Sequence, residues 1–431
     1  MTDRRRRGLL ILMILTFAGT AGCGRHTEGV AELDFWVMGR EGEMVQGLVR
    51  DFEAQNPDVR VRIQQIPWSA AHEKLLTAHV GKATPDLAQL GNTWVPEFQA
   101  LKALTGLDPL IASSEEVHQT DHFPGIWDTN VIDGNSYGVP WYVDTRLLFY
   151  RTDLLAEAGF PEPPRTWQQW RRVLEALSAR GPEKYGILLP INEWTQPVIF
   201  GLQAGSPLLL DRDTRGDFSS PAFGRALDFY LGLFADGLAP PVNNNQVANL
   251  YQEFARGTFA MFVTGPWNIG ECRHRLPEDL QDDWATAPLP GPEAGTPGLS
   301  LAGGSSLVVF QSSKHKEAAW RLIEFLSRPE QQVRFFNLTG DLPAHKKAWS
   351  DPGLNADPMI QAFWDQLQHV VPTPKIPEWE QIATRIWERT EGAIRGAETP
   401  ADAMAKLDAD VDRILAKRRW LMARDQERAE P

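Results

Sequence analysis

The pattern of apolar and polar positions beyond the N-terminal region predicts strands that alternate with helices. Residues 33–37 form a short apolar run, and residues 59–63 alternate apolar with polar side chains, as a half-buried strand does. Residues 43–54 and 69–80 have helical spacing, and Ser69 stands where an N-cap would begin the second helix. Successive strand–helix–strand units build a parallel sheet with helices on both faces. The sequence therefore predicts an α/β fold.

Two loops of this predicted sheet lie at one edge. A third strand over residues 86–90 precedes a helix over residues 94–101. The loop at residues 38–42 follows the first strand, and the loop at residues 91–93 follows the third. Open α/β sheets bind ligands outside the carboxyl ends of their strands, so these loops are candidates for a binding site. Neither has the glycine spacing of a dinucleotide-binding loop.

The second half of the chain predicts a second parallel sheet. Strands are expected over residues 137–143, 147–151, 259–264 and 307–310, and a capping box starting at Thr166 opens a helix among them. Helical spacing near the C-terminus predicts core-facing residues at Ile382, Ile386, Leu407, Val411 and Ile414. No low-complexity linker separates the halves, which favours lobes that exchange chain segments over independent domains.

The N-terminus has the layout of an export signal. An arginine-rich start and a short apolar run lead to small residues before Cys23. The last of these resemble a bacterial lipobox, in which the cysteine is lipidated, although Thr20 holds the position usually occupied by Leu. We interpret residues 1–22 as a lipoprotein signal peptide, Cys23 as a lipid anchor and residues 23–32 as a linker. Simple cleavage would instead release a secreted soluble protein.

Composition and charge exclude several classes of protein. The chain has 431 residues, and its net charge of -13 argues against nucleic acid as a partner. Two cysteines cannot make a disulfide framework. Cys272, the cysteine that remains beyond the leader, is predicted to be a buried apolar residue rather than a catalytic thiol. Sixteen Trp and 20 Phe provide flat apolar surface for a core or for a ligand.

Motifs of common enzymes and metal sites are absent from the sequence. It has no G-x-S-x-G, H-E-x-x-H, C-x-x-C or P-loop pattern, and its nine His show no metal-ligand spacing. We therefore expect no metal and no cofactor. A glycoside hydrolase stays open, because its two catalytic carboxylates need no sequence motif.

Aromatic and acidic residues follow the predicted strands in the combination that a neutral sugar requires. A sugar offers hydroxyls to carboxylate or amide groups and patches of ring C–H to aromatic planes. Trp94, Tyr142 and Trp267 stand near strand exits, with Asp144 and Glu41 as acids in similar positions. Each also has a structural interpretation: an aromatic residue can belong to the core, Asp144 to an ion pair, and Glu41 to the first turn of a helix.

A larger set of segments supports a family resemblance by its order and spacing. The segments are residues 52–57 (FEAQNP), 84–86 (TPD), 91–98 (GNTWVPEF), 137–140 (YGVP) with Asp144, 148–151 (LFYR), 164–167 (PRTW), 254–257 (FARG), 265–267 (GPW), 288–291 (PLPG), 303–304 (GG) and the helix ending at 325–326 (FL). In this respect the chain resembles family 1 extracellular solute-binding proteins, the carbohydrate receptors of ATP-driven ABC importers. The resemblance covers nearly all of the chain beyond the leader.

The resemblance implies a periplasmic-binding-protein-like α/β fold of two lobes, each with a parallel-type sheet flanked by helices. The implied lobes are residues 33–141 with 290–338, and residues 142–289 with 339–431. Several chain crossovers would join the lobes and act as hinges. By analogy they lie near residues 142–144, near Pro290 and near residues 338–341.

The resemblance also implies which residues bind the sugar. By position these are Glu41, Gly91, Asn92, Trp94, Tyr142, Asp144, Trp267 and Gly304. Related receptors often have Asp in place of Gly91, an aromatic residue in place of Ser305, and an Arg-Pro pair where this chain has Thr373 and Pro374. Ser305 and Thr373 are therefore further candidates. These departures leave the identity of the sugar open.

The function implied is capture without chemistry. A mono-, di- or oligosaccharide or glycoside between the lobes would favour their closure, and the permease subunits of an ABC importer would read the closed form. The expected protein is a monomeric, lipid-anchored, extracytoplasmic receptor that binds carbohydrate and permease but no nucleic acid. Two alternatives stay open: a secreted glycoside hydrolase, and a docking lipoprotein that binds peptide.

Overall fold

The computed structural model describes residues 30–247 and 249–429. The predicted signal peptide, Cys23 and most of the predicted linker lie outside the described residues. The strands are β1 (Ala31–Met38), β2 (Val59–Ile66), β3 (Leu87–Gly91), β4 (Val131–Ile132), β5 (Asn135–Ser136), β6 (Val139–Asp144), β7 (Leu147–Arg151), β8 (Tyr185–Leu188), β9 (Leu209–Leu210), β10 (Arg215–Gly216), β11 (Phe259–Thr264), β12 (Trp284–Ala287), β13 (Ser300–Leu301), β14 (Gly303–Val309), β15 (Leu342–Pro343) and β16 (Val370–Val371).

The helices surround these strands. They are α1 (Glu41–Met44), α2 (Gln46–Gln55), α3 (Trp68–Val80), α4 (Val95–Ala100), α5 (Asp108–Ser113), α6 (Pro124–Asp128), α7 (Thr152–Glu157), α8 (Trp167–Ser178), α9 (Thr195–Gln203), α10 (Pro221–Ala235), α11 (Leu250–Ala255), α12 (Trp267–Arg275), α13 (Lys316–Ser327), α14 (Pro329–Thr339), α15 (Pro352–Asn355), α16 (Pro358–Leu367), α17 (Trp379–Ile394), α18 (Pro400–Ile414) and α19 (Ala416–Ala429).

The first sheet has six strands in the order β15-β6-β14-β3-β1-β2. As predicted, β1 lies parallel to both β2 and β3. The sheet is nevertheless mixed, because β14 runs antiparallel to β3 and β6. This direction follows from the chain path: β14 returns from the second sheet, so it begins at the edge where β1, β3 and β6 end. The strands predicted at residues 137–143 and 307–310 correspond to β6 and β14, and both belong to this sheet rather than the second.

The second sheet has four strands in the order β12-β7-β11-β8. Only the β11–β8 pair is parallel, while β7 is antiparallel to both β11 and β12. The prediction of a second parallel sheet is therefore wrong in this detail. The reason is again the chain path, because β7 enters directly from β6 and starts at the edge that faces the first sheet.

Each sheet packs on helices to form a core of its own. The core of the first sheet includes Phe35 and Trp141, and the Trp141 ring stacks on Phe335 at 4.3 Å. The core of the second includes Trp170 and Tyr230. The C-terminal helices α17 and α18 pack on the second core, where four of the five predicted inward residues, Ile382, Ile386, Leu407 and Val411, are buried and the fifth, Ile414, is partly buried. This outcome confirms the prediction of core-facing helices.

The starts of two helices test the predicted caps. Thr166 caps α8, because its side chain accepts a hydrogen bond from the backbone of Gln169 at 3.2 Å. The predicted capping box is only half formed, since Gln169 Oε1 accepts from the backbone of Arg165 rather than from that of Thr166. Ser69 is not an N-cap, since α3 already begins at Trp68, with Pro67 before it and no side-chain cap. Pro67 occupies the N-cap position itself, and its ring offers no oxygen to the first backbone N–H groups of the helix.

The chain passes between the two sheets at three places. Residues 144–147 connect β6 to β7, β14 brings the chain back into the first sheet, and β15 pairs with β6 at its outer edge. Before β14 the backbone of Gly291 accepts a hydrogen bond from Trp167 of α8 at 2.8 Å. The exact lobe boundaries and hinge positions stay predictions.

Candidate functional site

A cavity of about 750 Å³ lies between the two sheets, at the edge where β1, β3 and β6 end. Its walls include all ten residues that sequence reasoning nominated for binding. They are Glu41, Gly91, Asn92, Trp94, Tyr142, Asp144, Trp267, Gly304, Ser305 and Thr373. The fold thus brings together residues that are far apart in the chain, whereas their contact with a ligand stays a prediction.

A buried hydrogen-bond network joins Glu41 to Tyr142 at the floor of the cavity. The Tyr142 hydroxyl donates to Glu41 Oε1 at 2.9 Å and accepts from Ser305 Oγ and Gln89 Nε2, each at 3.0 Å. Trp68 Nε1 also donates to Glu41 Oε1, at 3.2 Å. Burial raises the pKa of Tyr142 well above its usual value, so the phenol stays protonated as a donor.

The residues of this network have different roles. Tyr142 holds Glu41 directly, Ser305 acts on Glu41 only through its bond to Tyr142, and both residues are buried. Within the described residues, the donors to Glu41 all reach Oε1, which leaves Oε2 as the oxygen that can accept from a ligand hydroxyl. Glu41 is therefore held as an oriented acceptor, although it also occupies the first turn of α1, as its structural interpretation expected.

The second predicted acid, Asp144, is paired with a cation. Arg146 Nη1 donates to Asp144 Oδ1 at 3.1 Å, and the same guanidinium lies 4.9 Å from the ring centroid of Trp267. Gly303 pairs with Asp144 across β14 and β6, and a Cβ at Gly303 would collide with the Asp144 carboxylate. The ion-pair interpretation of Asp144 is thus confirmed, and the pair orients both the carboxylate and the indole.

A third carboxyl in the cavity, Asp341, has an unusual acidity. Burial raises the pKa of Asp341 to about 7, the charge of Glu41 adds to this effect, and a hydrogen bond with Thr339 opposes it. Near neutral pH this carboxyl can therefore donate a hydrogen bond as well as accept one. Sequence reasoning placed Asp341 in a hinge and did not nominate it for binding.

Trp94 lines the cavity next to Trp68, in an aromatic cluster. Its ring is 5.7 Å from that of Trp68 and 5.1 Å from that of His72. A hydrogen bond of 2.6 Å to Glu97 raises the pKa of His72. A Cβ at Gly91 would lie 3.3 Å from the Trp94 indole, so the Asp common in related receptors would press on this ring. The glycine and the position of Trp94 are thus coupled.

The comparison with known families completes this description of the site. The sequence pattern of the family described as "Bacterial extracellular solute-binding protein" matches residues 39–333. This chain belongs to that family. The prediction drawn from the ordered segments is confirmed.

The alignments with similar proteins cover most of this solute-binding protein. The structure of "the sugar-binding protein MalE from the phytopathogen Xanthomonas citri" superposes with a TM-score of 0.88 and 48% identity, covering 91% of this chain and 99% of that one. A putative binding protein of Brucella abortus is 28% identical over 96% of this chain and 98% of its own length. The maltotriose-binding protein of Pyrococcus abyssi is 26% identical over 88% and 78%. The two-lobed α/β fold is therefore confirmed.

Several residues of the cavity were missed by sequence reasoning. They are Arg40, Trp68, Thr93, Arg146, Trp194, Thr195, Tyr251, Glu271, Arg275, Leu301, Ala302, Gly303, Thr339 and Asp341. Arg146 could have been found, since it follows Asp144 by two residues. Trp194 and Tyr251 stand at the starts of α9 and α11 and give no local signal, because only packing of the second lobe turns them toward the cavity.

Two of the nominated residues, Asn92 and Gly304, stabilise the strands around the cavity of this solute-binding protein. Asn92 donates from Nδ2 to the backbone oxygen of Ala302 at 2.7 Å and so joins the third strand to β14. Gly304 has φ +123, and a Cβ there would collide with the backbone of Tyr142. Thr373 is buried at the cavity wall. The first two support the site mainly through the backbone.

Within residues 30–247 and 249–429 no group of His, Cys, Asp and Glu is arranged to hold a metal ion. Cys272 is buried, as predicted, and burial raises its pKa to about 12, which makes it a poor nucleophile at neutral pH. In this part of the chain no helix has both the length and the apolar character needed to cross a bilayer.

Proposed function

We propose that this solute-binding protein captures a carbohydrate outside the cytoplasm and delivers it to the permease subunits of an ABC importer. The observation that carries the proposal is one interlobe cavity that combines oriented carboxylates with indole rings. The similarity to a sugar-binding protein at 48% identity over 91% of the chain supports it. Binding without reaction is the function that such an arrangement serves.

Different residues of the cavity recognise different parts of the sugar. Trp94 and Trp267 offer ring faces on which a sugar stacks, each worth on the order of 1 kcal/mol beyond area burial. Glu41, Asp144 and Asp341 offer carboxyl oxygens to hydroxyl groups, and charge-assisted bonds of this kind are stronger than neutral ones. The remaining nominated residues shape the wall between them.

The sugar shifts the lobes toward a closed form by as much as it prefers that form. The moving bodies are residues 33–141 with 290–338, and residues 142–289 with 339–431. The crossovers near residues 142–144, near Pro290 and near residues 338–341 act as the hinges. Thr93 of the first lobe already donates to Glu380 of α17 at 2.7 Å, so part of the interlobe contact is polar.

A glycoside hydrolase is the second candidate, and one observation favours it. The raised pKa of Asp341 near the carboxylate of Glu41 is the kind of difference in acidity that acid catalysis of glycoside cleavage uses. Both acids, however, stand in the first lobe or its crossover rather than on opposite walls. We therefore assign the cavity to capture, with the sugar released intact and no cofactor required.

Export and anchoring complete the proposal. The N-terminal signal directs the protein out of the cytoplasm, and lipidation of Cys23 holds it at a membrane. The anchored protein is a monomer. Acyl chains bind a membrane by burying methylene groups and do not need a basic surface, which suits a chain with a net charge of -13.

The experiment is a thermal-shift and calorimetric screen of the protein without residues 1–22 and with Cys23→Ser, against mono-, di- and oligosaccharides, glycosides and polyols. A ligand at 100 times its Kd should stabilise the fold by about 2.7 kcal/mol and raise Tm by several degrees. Chromatography of the recovered ligand checks that it is intact. Cleavage would establish the hydrolase, and no shift with any carbohydrate would overturn the proposal.

A further inference from the structure

The binding cavity continues into a second hollow of about 560 Å³, which we call the side groove. One wall of the side groove is the C-terminal end of α14 from Phe336 to Gly340, and the other is α12 with Gly270, Arg273 and His274. Arg40, Trp267, Glu271 and Thr339 line both hollows. The two spaces are therefore neighbours that share these four residues of their walls.

The surface of the side groove has the mixed character that a sugar requires. Leu338 is 40% exposed there, and Trp267, at the junction with the main cavity, is 41% exposed. Polar groups of Asn337, Thr339 and His274 lie along the same walls. Exposed apolar surface beside hydrogen-bonding groups matches the ring C–H patches and hydroxyls of a carbohydrate.

Arg40 lines both hollows, and its guanidinium has donors that a sugar hydroxyl can reach. Its Nη2 donates to the backbone oxygen of Leu338 at 3.3 Å, which ties the first loop to the end of α14. Among the described residues no ion pair engages Arg40, whereas the neighbouring Glu271 and Arg275 are paired with each other at 2.5 Å. Guanidinium donors that are not committed to a carboxylate can serve a neutral acceptor.

The main cavity, at about 750 Å³, lies within the range of about 300–1,000 Å³ that is typical of small-molecule pockets. The side groove adds a space of comparable size that a disaccharide confined to the main cavity would not reach. Trp267 lies between the two spaces, where it can contact consecutive sugar rings.

We propose that the cargo is a trisaccharide or longer oligosaccharide, which extends from the main cavity past Arg40 and Trp267 into the side groove. This inference rests on the proposed function, and it narrows the cargo from carbohydrates in general to chains of at least three units. The end of α14 and the exposed face of α12 then select for chain length.

Gly270 provides a way to block the side groove alone. Gly270 lines the groove and a Cβ at this position of α12 meets open space, so Gly270→Phe is the variant chosen to narrow the groove. Gly224 of α10 is also a helical glycine with open space at its Cβ, and it lines neither hollow. Gly224→Phe is therefore the matched control for the effect of a bulky residue in a helix.

The test is calorimetric titration of the leaderless Cys23→Ser protein with mono- to pentasaccharides of the glucose, galactose, mannose and N-acetylglucosamine series. We expect the affinity of the responding series to rise roughly tenfold between the disaccharide and the trisaccharide, as one added stacking and hydrogen-bonding contact would give. Gly270→Phe should remove this gain and keep disaccharide affinity, while Gly224→Phe keeps both.

Three outcomes would overturn the inference. One is equal affinity for di- and longer saccharides in the unmodified groove, and another is Gly270→Phe protein that binds long chains as tightly as before. If Gly270→Phe also weakens disaccharide binding, the same titrations are repeated with Leu338→Ala. The third outcome that would overturn the inference is a Leu338→Ala protein whose preference for longer chains is unchanged. Binding of short sugars with no length effect leaves the proposed function standing, whereas no binding at any length removes both.

Discussion

The guanidinium of Arg146 lies 4.9 Å from the ring centroid of Trp267, two residues that are separated by most of the second lobe in sequence. The arginine is held in place by its ion pair with Asp144. An indole has two faces, and Trp267 keeps 41% of its surface exposed despite this contact. The pair thus presents an oriented aromatic platform at the junction of the cavity and the side groove.

Trp267→Ala should weaken carbohydrate binding at least tenfold, which corresponds to about 1.4 kcal/mol, because it removes a stacking surface. The Tm of the free protein should change little, since the side chain is only partly buried. Calorimetry and thermal unfolding measure the two effects. Trp420→Ala is the matched control, because Trp420 is 58% exposed and lies outside the cavity. A large drop in Tm with affinity retained would assign Trp267 to the core.

Tyr142→Phe should lower both stability and affinity. The variant leaves Gln89 Nε2 and Ser305 Oγ without their bond to the phenol and frees Glu41 from a donor. Loss of partners for buried polar groups costs about 1–3 kcal/mol. Denaturant unfolding measures the first effect and calorimetry the second. A stable variant with unchanged affinity would show that the network does not orient Glu41.

Stability should fall as pH rises toward neutrality because of Asp341. Its pKa is raised to about 7 in the fold, while an unfolded Asp titrates near about 3.9, so between these values the folded state holds the extra proton. The stability contributed is complete below the unfolded pKa and is lost as pH rises through about 7.

Asp341→Asn should remove this loss, so that its Tm relative to the parent protein increases from pH 4 to pH 8. The exposed Asp282→Asn variant serves as the control. Parallel Tm curves for the parent and Asp341→Asn would contradict the assignment.

His122 should give the opposite pH dependence. Burial lowers its pKa to about 4, while Nδ1 is bonded to the backbone oxygen of His118 at 2.9 Å. The unfolded chain takes up a proton near pH of about 6.5, so stability is lost as pH falls from there toward 4. His345, 5.8 Å away, has its pKa lowered by burial as well, and Asp121 opposes both shifts. His122→Gln should flatten the acid limb of a Tm-against-pH curve, and an unaltered limb would count against it.

Gly304→Ala should destabilise the protein by about 1–3 kcal/mol, the cost of a strained backbone conformation. Gly304 has φ +123, and a Cβ would collide with Tyr142 where β14 pairs with β6. Gly270→Ala is the control, since its Cβ meets open space in a helix and should be neutral or stabilising by up to about 1 kcal/mol. Chemical denaturation compares them, and equal stabilities would show that the crossover tolerates a side chain at Gly304.

Local sequence pattern was sufficient for most elements because strands and helices follow the periodicity of apolar residues. It located β1, β2, β3 and β11 closely and identified Thr166 as the residue that caps α8. Strand direction in the mixed sheets was not accessible in this way. It depends on where the chain enters each sheet, and β7 and β14 enter from the other lobe.

The binding cavity shows the same division. Glu41, Trp94 and Asp144 were identifiable from the sequence because each lies at or just after the end of a strand, at the edge of the sheet that borders the cavity. Asp341, Arg40 and the side groove were not, because their properties arise from burial and from the approach of α12 to the end of α14. The sequence by itself determined the family, the α/β class and the chemistry available to the site. Tertiary packing decided which of those groups meet, which are already paired and how acidic they are, since distance and burial are properties of the folded chain.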